Sequence, residues 1–236
     1  MFEPLLERAL RVFAIVIAVS ACGCRATVLL PSEVAAAWQR SCPEAVAWRQ
    51  IGRVRLDSEA ISGSFRGACV LRHLPTPAVR LQLFPEVGGK VLDLAADETG
   101  FAGYFPQAAR GVSHVWDEGP APRHVLTFMA ITLLERARGS DPERALAVWP
   151  EGTGWTVELQ PLHVEAQVTL DVNARGEVLA KHFELRGARW TETVSEGGTR
   201  IEGKGFVLEL EIESTSPAED LPDALFHLEL PPGVTR

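Results

Sequence analysis

The side chains that most often carry catalysis do not form a recognisable catalytic motif in this sequence. Gly63-Ser64-Phe65-Arg66-Gly67 has its serine in the second position, whereas the turn that holds a hydrolase nucleophile has the pattern Gly-x-Ser-x-Gly. Gly88-Gly89-Lys90 lacks the upstream glycine of a phosphate-binding loop and is typical of a hairpin turn. Ser113, His114 and Asp117 come closest to a polar cluster, and a surface turn is the better explanation for them. We therefore expect no catalytic residues, no cofactor and no enzymatic activity, with a hydrolase of unrecognised site as the weakest alternative.

Metal ligands are not expected from the spacing of histidine and cysteine. The His-Glu-x-x-His pattern of metalloproteases is absent, and no histidine forms a pair at ligand spacing. The six histidines are scattered: His73, His114, His124, His163, His182 and His227. The sequence therefore predicts no metal site.

The composition is that of an ordinary globular protein. Of the 236 residues, 46% are hydrophobic and 23% are charged, and the length suits a single domain. The chain carries 23 Lys and Arg against 31 Asp and Glu, a net charge of -8, and has no basic patch or tail. This balance argues against nucleic acid as a partner.

The first residues have the pattern of an export signal that ends at a cysteine. Arg8 and Arg11 precede an apolar run, 12–19, that is too short to span a bilayer, and small residues follow it. Val19-Ser20-Ala21-Cys22 then places an aliphatic residue and two small residues before a cysteine, which matches the lipobox of bacterial lipoproteins. A plain secretory signal cut near Ala21 and a buried apolar helix are the alternatives.

The lipobox implies a specific chemistry at Cys22. It implies a diacylglyceryl thioether on the thiol, cleavage before Cys22, and usually a third acyl chain on the new amine. Two or three chains anchor a protein stably, whereas one chain binds membranes only marginally. Gly23 in place of Asp implies the outer membrane by the enteric sorting rule, so we expect a lipid-anchored protein on the inner leaflet facing the periplasm.

Two further cysteines leave a question open. Export permits a disulfide between Cys42 and Cys69. Cys69, however, alternates in phase with Phe65 and Leu71, so a buried free thiol is equally compatible with the sequence.

Most of the remaining chain shows the period-two alternation of strands with one dry and one wet face. Trp155, Val157 and Leu159 alternate with polar residues, and the same pattern recurs in 52–57, 61–72, 79–83, 164–172 and 206–213. One dry and one wet face favour an antiparallel sheet. The pattern predicts about ten strands in one strongly curved sheet, in which Gly52, Gly63 and Gly67 face inward and leave room.

Two helices interrupt the strand pattern. Ser32 can begin a short helix that runs to Arg40, ahead of Pro43. Pro122 can begin a longer helix that ends at Arg138, before Gly139. The predicted organisation is therefore a signal peptide over 1–21, a lipidated N-terminus, linker and short helix over 22–48, and a β domain over 49–236.

Two stretches resemble a known family. The succession of strand and turn patterns from Trp48 to Pro106, and the ending Leu225-Phe226-His227-Leu228-Glu229-Leu230-Pro231-Pro232-Gly233-Val234, are similar to the LolA/LolB-like lipoprotein-localisation proteins. Together they cover about a third of the chain. The resemblance implies a mostly β fold, an unclosed antiparallel barrel with a helical lid and an apolar cavity for acyl chains, and it implies a closing strand in the second stretch.

The inward side chains of such a barrel are the candidate ligand-binding residues. If the sheet curls, they converge on the long helix and line the acyl cavity. They are Val54, Leu56, Phe65, Leu81, Leu83, Val125, Phe128, Met129, Trp155, Val157, Val168, Phe206, Leu208 and Leu210.

The resemblance implies a lipid-anchored envelope protein that binds acyl chains or other lipoproteins, and we expect a monomer. The alternative is a structural or interaction lipoprotein that uses the same fold as a scaffold without transport. A cavity of ligand size would favour the first function and a solid core the second.

Overall fold

The computed structural model describes residues 28, 30–40, 46–139, 142–161, 166–195, 198–219 and 221–234. The predictions on the signal peptide, on lipidation at Cys22 and on Cys42 lie outside these residues.

Thirteen strands of the described residues form one antiparallel sheet, in which the two edge strands do not pair with each other. In sheet order, β6 begins the series and β7 ends it: β6-β5-β4-β3-β2-β1-β13-β12-β11-β10-β9-β8-β7. Two meanders, β1 to β6 and β7 to β13, therefore meet where β1 pairs with β13, which makes an unclosed barrel. The strands are β1 (Ala47–Ser58), β2 (Ser62–Arg72), β3 (Ala78–Phe84), β4 (Leu92–Asp97), β5 (Gly100–Phe105), β6 (Arg110–Val115), β7 (Ala145–Glu151), β8 (Gly154–Leu159), β9 (Ala166–Val172), β10 (Val178–Leu185), β11 (Ala188–Ser195), β12 (Gly198–Gly203) and β13 (Phe206–Pro217).

The junction between the two meanders shows how alternation fixes the register. Val54 pairs with Leu210 on the concave face, where both side chains are buried. Arg53, one residue away, pairs with Glu211 on the outer face. A slip by one residue would bury these charges and expose the apolar set, so the burial of one face specifies the pairing.

A 14-residue helix, α2 (Val125–Arg138), packs on the concave face against β2 to β5. It begins three residues later than predicted because His124 caps it: the His124 backbone is extended, and its side chain accepts a hydrogen bond from the Leu126 N–H. It ends as predicted, with Gly139 at φ 76°. No helix among the described residues is long and apolar enough to cross a membrane.

The short helix α1 (Ser32–Arg40) matches its predicted bounds and belongs to the core of the β domain. The Trp38 side chain is 0% exposed within the main apolar cluster. Gly176, in the turn from β9 to β10, has φ 81°, and a Cβ there would lie 2.8 Å from Ala37 Cβ, Trp38 N and Val34 O. Only glycine therefore lets α1 approach this turn so closely.

The predicted closing strand at Leu225–Val234 is wrong. A 3₁₀ turn spans Asp223–Phe226, and the chain then crosses the outer face of the sheet without joining it. Phe226 is buried there against Val70 and Ala78, and two consecutive prolines, 231 and 232, lack the N–H donors of a strand. The last strand of the sheet is β13, and the described residues form thirteen strands instead of about ten.

Candidate acyl-chain site

All the candidate ligand-binding residues meet on the concave face. Eleven of the fourteen are buried members of one apolar cluster: Val54, Leu56, Phe65, Leu81, Leu83, Met129, Val157, Val168, Phe206, Leu208 and Leu210. Val125, Phe128 and Trp155 are half-buried and pack against that cluster. The sheet and α2 thus form one continuous apolar surface.

Side chains nearly close a crevice of this surface that three of the candidate residues line. The crevice beside Val54, Leu81 and Leu210 has a cavity volume of about 10 Å³. A volume of this size holds about one water molecule. This crevice is therefore too small for an acyl chain while α2 packs over β2 to β5.

The inward glycines do not leave the room that we expected. A Cβ on Gly67 would lie 2.5 Å from Val54 Cγ2, and a Cβ on Gly63 would lie 3.0 Å from Phe65 Cζ. A Cβ on Gly52 would collide with the Glu211 backbone carbonyl. Neighbouring side chains and backbone have taken up the space, so these glycines permit close packing instead of a cavity.

An aromatic stack joins α2 to the later half of the sheet. The Phe128 ring lies 4.6 Å from the Trp190 ring and 5.8 Å from the Phe206 ring, measured between centroids. The Trp190 indole N–H donates a 2.8 Å hydrogen bond to Thr132 Oγ1, one turn further along α2. Thr127, fully buried on the same helix, has no hydrogen bond to its Oγ1 from the described residues.

Charged residues hold the C-terminal half of α2. Glu135, 2% exposed, receives Arg144 Nη2 at 2.6 Å and lies 3.8 Å from Arg138 Nη1. Arg144 also donates to the carbonyl of Gly139, at the end of α2, and to that of Gln160, which follows β8. Its guanidinium therefore links α2 to the end of β8. A buried carboxylate without a partner would destabilise the fold, and these contacts supply the partner.

A second charged group crosses from α2 to β10 and β11. Glu192 is fully buried, with Arg136 Nε at 3.5 Å and Lys181 Nζ at 3.6 Å. β10 and β11 were not among the strands predicted from the alternation, so this charged group was not predicted from the sequence. The signal was present, since Lys181 and Glu192 alternate in phase with inward-facing Phe183 and Trp190.

Cys69 is a free thiol buried on β2. Burial raises the pKa of Cys69 to about 12, and the nearby Arg136 opposes this rise. The thiol is therefore neutral at physiological pH and unreactive as a nucleophile. Of the two alternatives from the sequence, the structure supports the buried free thiol.

Acidification is expected to weaken the start of α2. His124 must be neutral to accept the Leu126 N–H, and burial lowers the pKa of His124 below its ordinary 6.5. The unfolded chain therefore takes up this proton first, so the contribution of the cap is complete above about pH 6.5 and is lost as the pH falls through the folded pKa. We expect the melting temperature to fall between neutral and acidic pH, measured by thermal unfolding. His124→Asn, whose amide caps without titrating, should lose this part of the pH dependence, and an unchanged profile would contradict the assignment.

No group of three or more His, Cys, Asp or Glu side chains is placed to hold a metal ion within the part of the chain that the structure describes. The concave face thus offers apolar contact, buried ion pairs and one neutral thiol.

Sequence comparisons give no match to any protein-family model and none to a curated protein. Solved structures do match. One of them is a domain from Vibrio parahaemolyticus that is provisionally described as an outer membrane lipoprotein-sorting protein. It superposes with a TM-score of 0.51 at 12% identity, over 82% of this chain and 94% of that one. The chain shares the fold of this lipoprotein-sorting domain. This finding confirms the fold that the resemblance implied.

Two more solved structures are similar. A DUF1329 family protein from Desulfovibrio piger superposes with a TM-score of 0.52 at 9% identity, covering 82% of this chain and 94% of that one. A LolA superfamily protein from Nitrosomonas europaea superposes with a TM-score of 0.48 at 10% identity, covering 85% of this chain and 99% of that one. At such identities the likeness concerns the fold, and function must be argued from the residues of this chain.

Proposed function

We propose that this chain is a lipid-anchored protein of the cell envelope that binds acyl chains on the concave face of its sheet, in the space that α2 occupies. The observation that carries the proposal is one continuous apolar surface that runs across the sheet beneath a single long helix. The lipoprotein-sorting fold and the lipobox at Cys22 support it. Attachment to the inner leaflet of the outer membrane through Cys22 is part of the same proposal.

The energies of the two occupants of this surface are comparable. Five large apolar side chains of α2 are buried: Leu126, Met129, Ile131, Leu133 and Leu134. Exposing them would cost roughly 8–15 kcal/mol at about 1.5–3 kcal/mol each. A buried sixteen-carbon acyl chain gains roughly 12 kcal/mol at about 0.8 kcal/mol per CH₂. One chain can therefore offset the loss of the helix contacts.

The polar contacts of α2 decide which end of the helix moves. Arg136 and Glu135 lie in its C-terminal half and hold buried partners, whereas Val125 and Phe128 at its start are half-buried and make apolar contacts. Separating buried charges is costly, because each charge loses its partner while it stays buried. We infer that the start of α2 lifts from Trp190 and Phe206 while the end stays attached.

Two matched substitutions on α2 test the proposal. Thr132→Val removes the acceptor of the buried Trp190 N–H, which should destabilise the docked helix by about 1–3 kcal/mol. If acyl chains compete with α2, the apparent affinity for a fluorescent fatty acid then rises about fivefold or more. Thr127→Val removes no hydrogen bond seen among the described residues and should bind the probe no more tightly than the wild type does.

The measurement uses the full-length lipidated protein in a bile-salt detergent, which has no acyl chain of its own. A Thr132→Val protein that binds the probe no more tightly than Thr127→Val would contradict competition between helix and ligand. The same titration tests the second candidate function, a structural lipoprotein with this fold. The small crevice on the concave face favours a structural role. That role predicts no saturable binding by wild type or variants.

A further inference from the structure

The two edge strands of the sheet, β7 and β6, differ in whether a described residue hydrogen-bonds to them from outside. At the β7 edge, the Val28 N–H donates a 2.9 Å hydrogen bond to the Val148 carbonyl, so Val28 occupies one backbone acceptor of this strand. At the β6 edge, no described segment pairs with the strand from outside. The Val234 side chain lies close to Gly111 on the outer face but makes no backbone pairing with β6 that the described residues show. An edge strand whose backbone groups point outward is a template for the addition of another strand.

The backbone groups that β6 presents can be assigned. The Trp116 N–H donates to the Thr99 carbonyl, so the alternate positions on β6 direct their N–H and C=O groups toward β5. Gly111 and Ser113 therefore point theirs away from the sheet. Among the described residues, none bonds to these groups.

A cavity of about 390 Å³ lies on the outer face beside this edge. Side chains of β4 to β6 and the following turn form its floor, and Phe226–Leu228 form a wall. Arg80 fixes that wall by donating to the carbonyls of Leu225 and His227 at 3.3 and 3.1 Å. The volume is that of a small-ligand pocket, and it is much larger than the crevice on the concave face.

The charge of this cavity selects its occupant. Asp97 and Glu118 both contribute carboxylates, and no lysine or arginine is among the described residues that line it. Asp97 is held in place because its Oδ1 accepts from the N–H and hydroxyl of Thr99 at 2.8 and 2.6 Å and from the Gly100 N–H at 3.2 Å. A side chain that enters the cavity meets fixed negative charge.

We infer that β6 and the adjoining cavity form a docking surface for an extended peptide that carries a basic side chain. A strand added to β6 hydrogen-bonds to the outward N–H and C=O groups of Gly111 and Ser113. The partner residue opposite Ser113 projects onto the outer face, as Ser113 does, and its lysine or arginine enters the cavity toward Asp97 and Glu118. This surface is separate from the concave face and does not depend on acyl binding.

A second copy of this chain fits the surface less well. In an antiparallel pairing of two β6 strands, the outward side chains are those of Gly111, Ser113 and Val115, and none of them is basic. Arg110, which pairs with Phe105, projects on the concave side. Self-association would therefore leave the acidic cavity without a partner, so we assign the surface to another polypeptide.

The test uses the full-length lipidated protein and a fluorescein-labelled eight-residue peptide of alternating lysine and valine, followed by fluorescence anisotropy. A peptide with glutamate in place of lysine is the charge control. Ser113→Pro removes only an outward N–H, which an edge strand tolerates, and should weaken binding about tenfold. Glu118→Gln should weaken binding several-fold, whereas Glu86→Gln, exposed in the turn from β3 to β4, should not.

Three results would overturn this inference. The first is equal binding of the lysine and glutamate peptides, and the second is a Ser113→Pro protein that binds the lysine peptide as the wild type does. The third is a wild-type dimer, seen by analytical ultracentrifugation, that Ser113→Pro dissociates. That outcome would assign the β6 edge to a second copy of the chain.

Discussion

Replacing Arg144 by alanine should lower the free energy of unfolding by about 3–5 kcal/mol. The Arg144 guanidinium donates to Glu135 at 2.6 Å and to the Gln160 carbonyl at 2.8 Å, and its side chain is only 10% exposed. Without it, the Glu135 carboxylate keeps Arg138 at 3.8 Å, too far for a hydrogen bond. A buried charge that loses a partner at hydrogen-bond distance keeps its cost of desolvation but less of the compensation.

Chemical denaturation of the variant and the wild type measures this loss. Arg189→Ala is the matched control, because Arg189 pairs with Glu184 at 2.7 Å while its side chain is 80% exposed. Exposed pairs contribute about 0–1 kcal/mol, so the control should change little. Equal losses in the two variants would show that burial of the Glu135 group does not stabilise the docked α2.

Replacing Cys22 by serine should abolish lipid attachment altogether. Only the thiol can form the thioether that the lipobox Val19-Ser20-Ala21-Cys22 implies, and the signal is then either left uncleaved or removed to release a soluble protein. Two or three acyl chains hold a protein on a membrane, so the expected effect is complete loss of this anchor.

Metabolic labelling with a palmitate analogue, followed by fractionation of the cells, provides the measurement. The wild type should carry label in the membrane fraction, and Cys22→Ser should carry none. Cys24→Ser is the matched control and should label as the wild type does, because the residues before Cys24 fit a lipobox poorly. Equal label on wild type and Cys22→Ser would contradict the anchor.

The alternation of side chains predicted the concave face well because the period of a strand is two and does not drift. Val54, Leu81 and Leu208 stand on three different strands, and each was assigned to the correct face from its neighbours in sequence alone. The two helices were also predicted, although α2 begins at Val125 instead of Pro122. The capping role of His124 was not foreseen, because histidine is an uncommon cap.

Features that depend on contacts distant in sequence could not be predicted. Gly67 has the pattern of a residue that leaves room, but its space is taken by Val54 from the neighbouring strand. Leu225–Val234 has the alternation of a strand, but Phe226 and Arg80 fix its first residues on the outer face. The local sequence pattern does not reveal which distant residue contacts a given position in the fold.

The buried charges illustrate the same limit. Lys181 and Glu192 are each typical of an exposed strand position, and only the pairing of β10 with β11 and the approach of Arg136 from α2 make them a buried group. Such a group stands out only after the phase of both strands is known. The charged contacts of α2, which the proposed lid depends on, therefore had to come from the structure.

Hydrogen exchange of α2 tests most directly whether acyl chains occupy the space of this helix. Mass spectrometry would follow deuterium uptake by the full-length lipidated protein in bile-salt detergent, with and without palmitate, while displacement of a fluorescent fatty acid reports occupancy. The account predicts that palmitate increases uptake at the start of α2, around Val125 and Phe128, and leaves β3, Ala78–Phe84, unchanged. Uptake in α2 that stays constant or falls at full occupancy, or the absence of any saturable binding, would contradict it.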